Sequence, residues 1–181
     1  MGKPSSPEPV KLFAGVLTGY PELVPEVEFR LSDRFGTIDE ESPLISFDYT
    51  DYYRDEMGEG LQRKFFSFRD LIPPEELAEI KLETNEIELS LAKDSNADAE
   101  RPVNIDPGYL GPSKLVLATT KNYSHRIYLE RGIYAEVTLQ YENGGFRPQP
   151  WTYPDYRSDE YLDFFQGLRE EYLLQLESSS G

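Results

Sequence analysis

Residues 125–141, HRIYLERGIYAEVTLQY, alternate apolar and polar side chains on either side of Glu130-Arg131-Gly132. Successive side chains of a strand point to opposite faces, so this period of two commits the segment to a β-hairpin. Ile127, Leu129, Ile133, Ala135, Val137 and Leu139 then share one face, and Arg126, Tyr128, Tyr134, Glu136 and Thr138 share the other. Upstream, Val103 and Ile105 join the apolar set while Asn104 and Asp106 join the polar one. A merely solvated sheet face needs no more than threonine and serine. A face carrying cations, carboxylates, an amide and phenols has the groups of a polar ligand site.

The rest of the chain can be built around that sheet. VKLFAGVLTG (10–19) reads as a buried strand closed by Gly19 and Pro21, and PEVEFRLSDRFG (25–36) as a helix ending at Gly36. LISFDYT (44–50) alternates like a half-buried strand, and LQRKFFSFRDLI (61–72) follows as its antiparallel neighbour. On these strands Asp48, Thr50 and Lys64 are expected to extend the polar face. Pro73 and Pro74 precede Glu75 and Glu76, and Leu77, Ile80, Ile87 and Leu91 recur at helical spacing, which predicts a helix over Pro74–Lys93. Lys81, Asn85 and Glu88 are read as the exposed side of that helix.

PVNI reads as a short strand, DPGYLGPS as a turn, and KLVLATT as a strand or short helix. ENGGFRPQPWTYPDY is an aromatic, proline-rich connection, serving either as a lid over a planar ligand or as rings that staple the last helix to the sheet. Ser158 is placed to cap that final helix. Residues 1–9 and 177–181 read as flexible tails around a single domain, 10–176. The order strand, helix, strand, strand, helix, strand is a split βαβ arrangement. It predicts an α+β fold with a ferredoxin-like core, an antiparallel sheet, and a C-terminal hairpin and helix.

Charge and composition remove several functions. With 34 Asp plus Glu against 18 Lys plus Arg, the net charge of −16 repels nucleic acid and anionic bilayers. No apolar run is long enough for a membrane span or a signal peptide core, and a cytoplasmic protein is expected. The absence of cysteine excludes thiolate nucleophiles and cysteine metal sites, and a single histidine leaves little for zinc. A divalent metal would need oxygen ligands such as Asp48, Asp106 or Glu136, with magnesium or calcium as candidates. Acid–base roles fall to Asp106, His125 and Glu136. No stretch has the spacing of a phosphate-cradling P-loop, and ATTKNYSH lacks the aspartate that would read guanine, so GTPase chemistry is not expected.

The blocks VNIDPGYL, LATTKNYSHRIYL, GIYAEVTLQY and WTYPDY, with IKLETN and the earlier DYTDYY and DEMG, occur in one order along the chain. Together they resemble an uncharacterised family of small bacterial proteins known only as a domain of unknown function, from about Val10 to the last helix. Some of its members carry the label "GTP-binding protein". The resemblance carries over no catalytic residue. On the residues alone, the expected activity is to bind, or to bind and transform, a small anionic molecule. Lys64, Lys121 and Arg126 would hold the anion, and Asp106 and Glu136 would serve as acid–base or metal-bearing groups. The alternatives are a protein partner docked on the aromatic surface without catalysis, and a sheet face that only supports packing.

Overall fold

In the computed structural model, which describes residues 2–50 and 54–179, strand β1 (Val10–Thr18) is buried along its whole length. It runs up the middle of the sheet, and helices cover both faces. Helix α1 (Val24–Phe35) leads to β2 (Ile38–Glu41) and β3 (Ile45–Ser46). A short helical turn, α2 (Arg54–Met57), then precedes β4 (Gln62–Ile72), α3 (Leu77–Asp94), β5 (Val103–Leu110) and β6 (Lys114–Thr119). The chain closes with β7 (Ile127–Glu130), β8 (Ile133–Glu142), β9 (Gly145–Pro148) and α4 (Asp159–Ser179). Among the described residues these strands form one open nine-stranded sheet in the order β2-β4-β1-β5-β6-β8-β7, with β3 beside β4 and β9 beside β8. Every pairing is antiparallel, which makes the fold α+β.

Strand parity sorts two cores. Leu12, Ala14 and Val16 of β1, with Phe66 and Phe68 of β4, pack against Val27 and Leu31 of α1 and Ile80 and Leu91 of α3. On the other face Phe13, Phe65, Leu117 and Leu139 meet Tyr156, Tyr161, Phe165 and Tyr172 from the C-terminal connection and α4. Ser158 caps α4 as its spacing predicts, its Oγ accepting from the Tyr161 N–H at 3.3 Å.

Several segments depart from the sequence reading. The 44–50 strand shrinks to Ile45–Ser46, and the edge strand beside β4 is mainly Ile38–Glu41, so Asp48 and Thr50 lie in a loop. DPGY continues β5 instead of turning. Asn143 and Gly144, both with positive φ, close a further hairpin onto β9 inside the supposed connection. A bulge at Thr138, between the pairs Val116↔Val137 and Leu115↔Leu139, rotates Leu139 onto the α4 face, against simple alternation. Helix α4 reaches Ser179, through most of the expected 177–181 tail.

The feature that positions the site is a split in the sheet. β5 and β6 pair only from Gly108 to Leu110, and the ladder stops beside Pro107, which has no N–H to donate. Beyond it the β6 side of β5 is met by α3: Glu88 accepts the Ile105 N–H at 2.6 Å, and the Lys81 amine donates to the Ile105 carbonyl at 2.8 Å. Lys81 and Glu88, expected on a solvated helix face, are therefore buried. They occupy the place that a neighbouring strand would take.

Where the strands do pair, they pack closely. A Cβ on Gly108 would stand 2.4 Å from the Val116 carbonyl oxygen and 2.7 Å from the Phe13 ring, whereas one on Gly167 in α4 would meet nothing within 4 Å. Gly108→Ala should therefore cost about 3 kcal/mol in urea unfolding. Gly167→Ala should gain about 0.5–1 kcal/mol from helix propensity.

Candidate functional site

Where β5 and β6 part, a cavity of about 510 Å³ opens on the α4 face of the sheet. Its floor carries Arg63 from β4, Asn104 and Asp106 from β5, and the Lys81 side chain reaching through the split. One wall is formed by the 119–126 loop and Glu136, and the roof by Tyr153, Pro154, Asp155 and Tyr156 of the C-terminal connection. That connection is fastened to β8: Trp151 Nε1 donates to the Val137 carbonyl at 2.8 Å and Thr152 Oγ1 to that of Thr138 at 2.5 Å. It therefore staples the chain to the sheet and also encloses the cavity.

Arg63 is the centre of the floor. Its Nη1 donates to Asp106 at 3.1 Å and to the Gly15 carbonyl at 3.3 Å, and its Nη2 reaches Asp155 at 3.5 Å. Gly15 makes the room, since a Cβ there would come within 3.0 Å of the Phe65 ring and 3.3 Å of the guanidinium. Burial opposes the arginine's charge, but Asp106 and then the surrounding phenols and Asp155 outweigh it and hold its pKa above the ordinary arginine value.

The two carboxylates around Arg63 are tuned in opposite directions. Burial pushes Asp106 up, yet Arg63, Lys81 and the Asn104 amide at 2.7 Å pull it below the usual aspartate range. Burial also pushes Asp155 up, and here the pull of Arg63 is not enough, because the nearby Asp106 charge adds to the rise. Beside them, Arg101 grips Glu88 through Nε at 3.2 Å and Nη2 at 2.9 Å, and burial keeps Glu88 above its ordinary value. The hydroxyls of Tyr156 and Tyr161 and the Nε of Arg63 make no hydrogen bond among the described residues. Tyr161 feels the Arg63 charge without meeting it in hydrogen-bond geometry.

The wall is a separate network. Arg126 donates through Nε to Glu136 at 2.8 Å, through Nη1 to the Lys121 carbonyl at 3.0 Å, and through Nη2 to the Tyr153 hydroxyl at 2.9 Å. Its guanidinium carbon lies 4.6 Å from the Tyr123 ring centre. Glu136 also meets His125 Nε2 at 3.0 Å and accepts from Thr138 Oγ1 at 3.1 Å. The imidazole lies nearly parallel to both Tyr123 and Trp151.

The residues singled out from sequence thus fall into three groups. Asn104, Asp106, Lys121, Arg126 and Glu136 line the cavity. Tyr128 and Tyr134 pair across β7 and β8, ring centres 5.3 Å apart, and His125 sits behind the wall; none of these three lines the cavity. Asp48 and Lys64 are corrected. Asp48 borders a different, smaller cavity of about 220 Å³. Lys64 points to the α1 face, where it meets the Ser42 carbonyl at 3.0 Å and Glu41 at 3.2 Å. The cavity receives its neighbour Arg63, because odd positions of β4 face α4. In the run QRKFF (62–66), where Phe65 and Phe66 are both buried, alternation does not reveal which parity faces which way.

Arg63, Lys81, Arg101, Asp155 and Tyr156 were not legible as site residues. The available signal was Lys81 and Glu88 recurring at helical spacing beside the apolar stripe of α3. Among the described residues no three His, Asp or Glu side chains come together to hold a metal ion. Between Asp106 and Asp155, where a divalent cation would sit, stands the guanidinium of Arg63.

These features define a class: an α+β protein whose split antiparallel sheet holds a roofed, arginine-centred cavity. Over residues 8–172 the chain matches the model of a family described as "Domain of unknown function (DUF4416)", and it belongs to that family. Comparison with curated proteins and with solved structures finds no match.

The geometry separates two roles by measurement. Arg126→Ala removes the partner of a buried carboxylate and the tie to Tyr153, so it should lower unfolding free energy by about 3 kcal/mol. The opposite tuning of Asp106 and Asp155 sets a pH signature. A lowered folded pKa stabilises above the ordinary aspartate range and loses that contribution as pH falls through the folded value; a raised one disfavours the fold as pH rises through its folded value. From acid to neutral pH, Asp106→Asn should therefore lose stability relative to the unsubstituted protein, and Asp155→Asn should gain it, as read by thermal unfolding across pH.

Proposed function

We propose that the protein binds a small anionic molecule in the cavity between the split strands and the C-terminal connection. The observation that carries this reading is the charge of the lining. Five cations (Arg63, Lys81, Arg101, Lys121 and Arg126) face three carboxylates (Asp106, Glu136 and Asp155), in a chain whose net charge is −16. An excess of cations inside so acidic a chain is a local departure that general surface solvation does not require. The size of the cavity and its fixed roof suit a small molecule held out of bulk water.

Binding, without a reaction, is what the pairing favours. Glu136 is engaged by Arg126, His125 and Thr138, and Asp106 by Arg63 and Asn104, which leaves neither as a free base. The strand order β2-β4-β1-β5, with α1 and α3 on one face, supports reading the first part of the fold as a ferredoxin-like split βαβ core. The remaining strands and α4 are then the extension that builds the cavity. No helix among the described residues is long and apolar enough to cross a membrane. The cytoplasmic location is inferred from the sequence alone.

A second reading has its own observation. Among the described residues β7 ends the sheet with no strand beyond it, and its Ile127 and Tyr128 are 70% and 57% exposed, an edge that a protein partner could extend. The two readings separate in a thermal-shift screen of the purified protein against inorganic phosphate, carboxylates, sugar phosphates, nucleotides and divalent cations. An anion at a hundred times its dissociation constant should stabilise the fold by about 2.7 kcal/mol. We expect anions to shift the melting temperature and divalent cations not to. Melting unchanged by every anion would overturn the cavity reading and leave the edge.

A further inference from the structure

The cavity has two ends of different chemistry. Its floor is polar and charged, whereas three tyrosines that line it, Tyr49, Tyr123 and Tyr153, are 41%, 54% and 41% exposed and so border its mouth. Tyr49 is packed edge-on against Phe47, ring centres 5.5 Å apart, and Tyr153 is held through its hydroxyl by Arg126. The rings are thus fixed by neighbours and offer apolar faces and edges at little entropic cost.

The floor accepts a limited amount of new negative charge. Arg101 already serves Glu88 and Asn104, Arg126 serves Glu136, and the lining cations exceed the carboxylates by only two. A polyphosphate would place more charge there than the floor can match. One anionic group is another matter. The 3.5 Å contact from Arg63 Nη2 to Asp155 is long for a charge-assisted hydrogen bond, and Arg63 Nε and Tyr156 Oη beside it have no partner among the described residues. An oxygen entering between Asp155 and Arg63 would take up donors that the protein itself leaves underused.

Resting on the anion-binding reading, we propose that the cavity takes an aromatic molecule with one anionic group, a carboxylate or a phosphate monoester, held between Arg63 on the floor and Tyr156 in the roof, and with its planar ring among the mouth tyrosines. The floor supplies the charge recognition and the mouth discriminates rings from sugars. Ring stacking on a tyrosine is the term that truncating the tyrosine removes.

The test uses the full chain and five probes at equal concentration, followed by thermal shift and calorimetry. Phenyl phosphate carries ring and charge, inorganic phosphate and glucose 6-phosphate carry charge without an aromatic ring, and benzyl alcohol carries the ring alone. Phenyl phosphate should bind at least about tenfold tighter than inorganic phosphate, glucose 6-phosphate or benzyl alcohol. Benzoate should do the same if a carboxylate is the anionic group. Tyr49→Ala, at a partly exposed position, should fold normally and weaken phenyl phosphate by about tenfold while leaving inorganic phosphate unchanged. Glucose 6-phosphate or inorganic phosphate binding as tightly as phenyl phosphate would overturn the aromatic proposal and leave the anion reading standing. Benzyl alcohol binding as tightly as phenyl phosphate would overturn the anion reading and with it this proposal, as would binding by none of the anions.

Discussion

The backbone of Ile105 is the point on which the architecture turns. Its N–H and C=O lie where β6 should meet β5, and a buried backbone group left without a partner costs about 1–3 kcal/mol. Glu88 and Lys81 supply those partners from a helix, so the sheet can part without leaving its edge unsatisfied. Charge balance then propagates outward. Lys81 and Glu88 need counterions in a low-dielectric setting, Arg101 and Asp106 provide them, and Asp106 in turn draws in Arg63. The cavity is the space left between strands that a proline has kept from pairing and that a set of ion pairs holds apart.

This arrangement explains why the lining is cationic in a strongly acidic chain. Each charged group is placed by the backbone group or ion it satisfies, and the roof is placed by its own hydrogen bonds to β8. The two arginines that touch the roof do so from opposite sides, Arg63 through Asp155 and Arg126 through Tyr153. They differ in how fully they are used. Every nitrogen of Arg126 has a partner, which makes it a structural pillar of the wall; Arg63 keeps an Nε without a partner among the described residues and a long contact. Unused hydrogen-bonding capacity therefore lies at the floor, not at the arginine that alternation made most prominent.

Much of the fold was readable in one dimension. The proline start and apolar stripe of α3, the capping serine of α4 and the Arg131-Gly132 hairpin are local signals, each carried by contacts within a few residues. What failed locally was also instructive. Asn143-Gly144 is a hairpin signal set at the start of a proline-rich segment, and Asp106-Pro107-Gly108 has turn composition but lies within a strand because β1 pairs with it across its full length.

The sequence by itself determined that residues 127–138 form a β-hairpin, because strand periodicity is a property of the backbone; Arg126 stands just before β7 and reaches Glu136 from the 119–126 loop. It also determined the net charge of −16 and a chain with neither a cysteine nor a phosphate-loop motif. Only the tertiary structure decided that Arg63, not Lys64, enters the cavity, because an apolar doublet at Phe65-Phe66 is buried on both faces and erases the parity signal. Only the tertiary structure turned Lys81 and Glu88 inward, since the demand they meet, an unpaired peptide group at Ile105, arises from strands that pair far apart in sequence. Asp155 and Tyr156 reach Arg63 across some ninety residues of chain, a separation over which local periodicity carries no information.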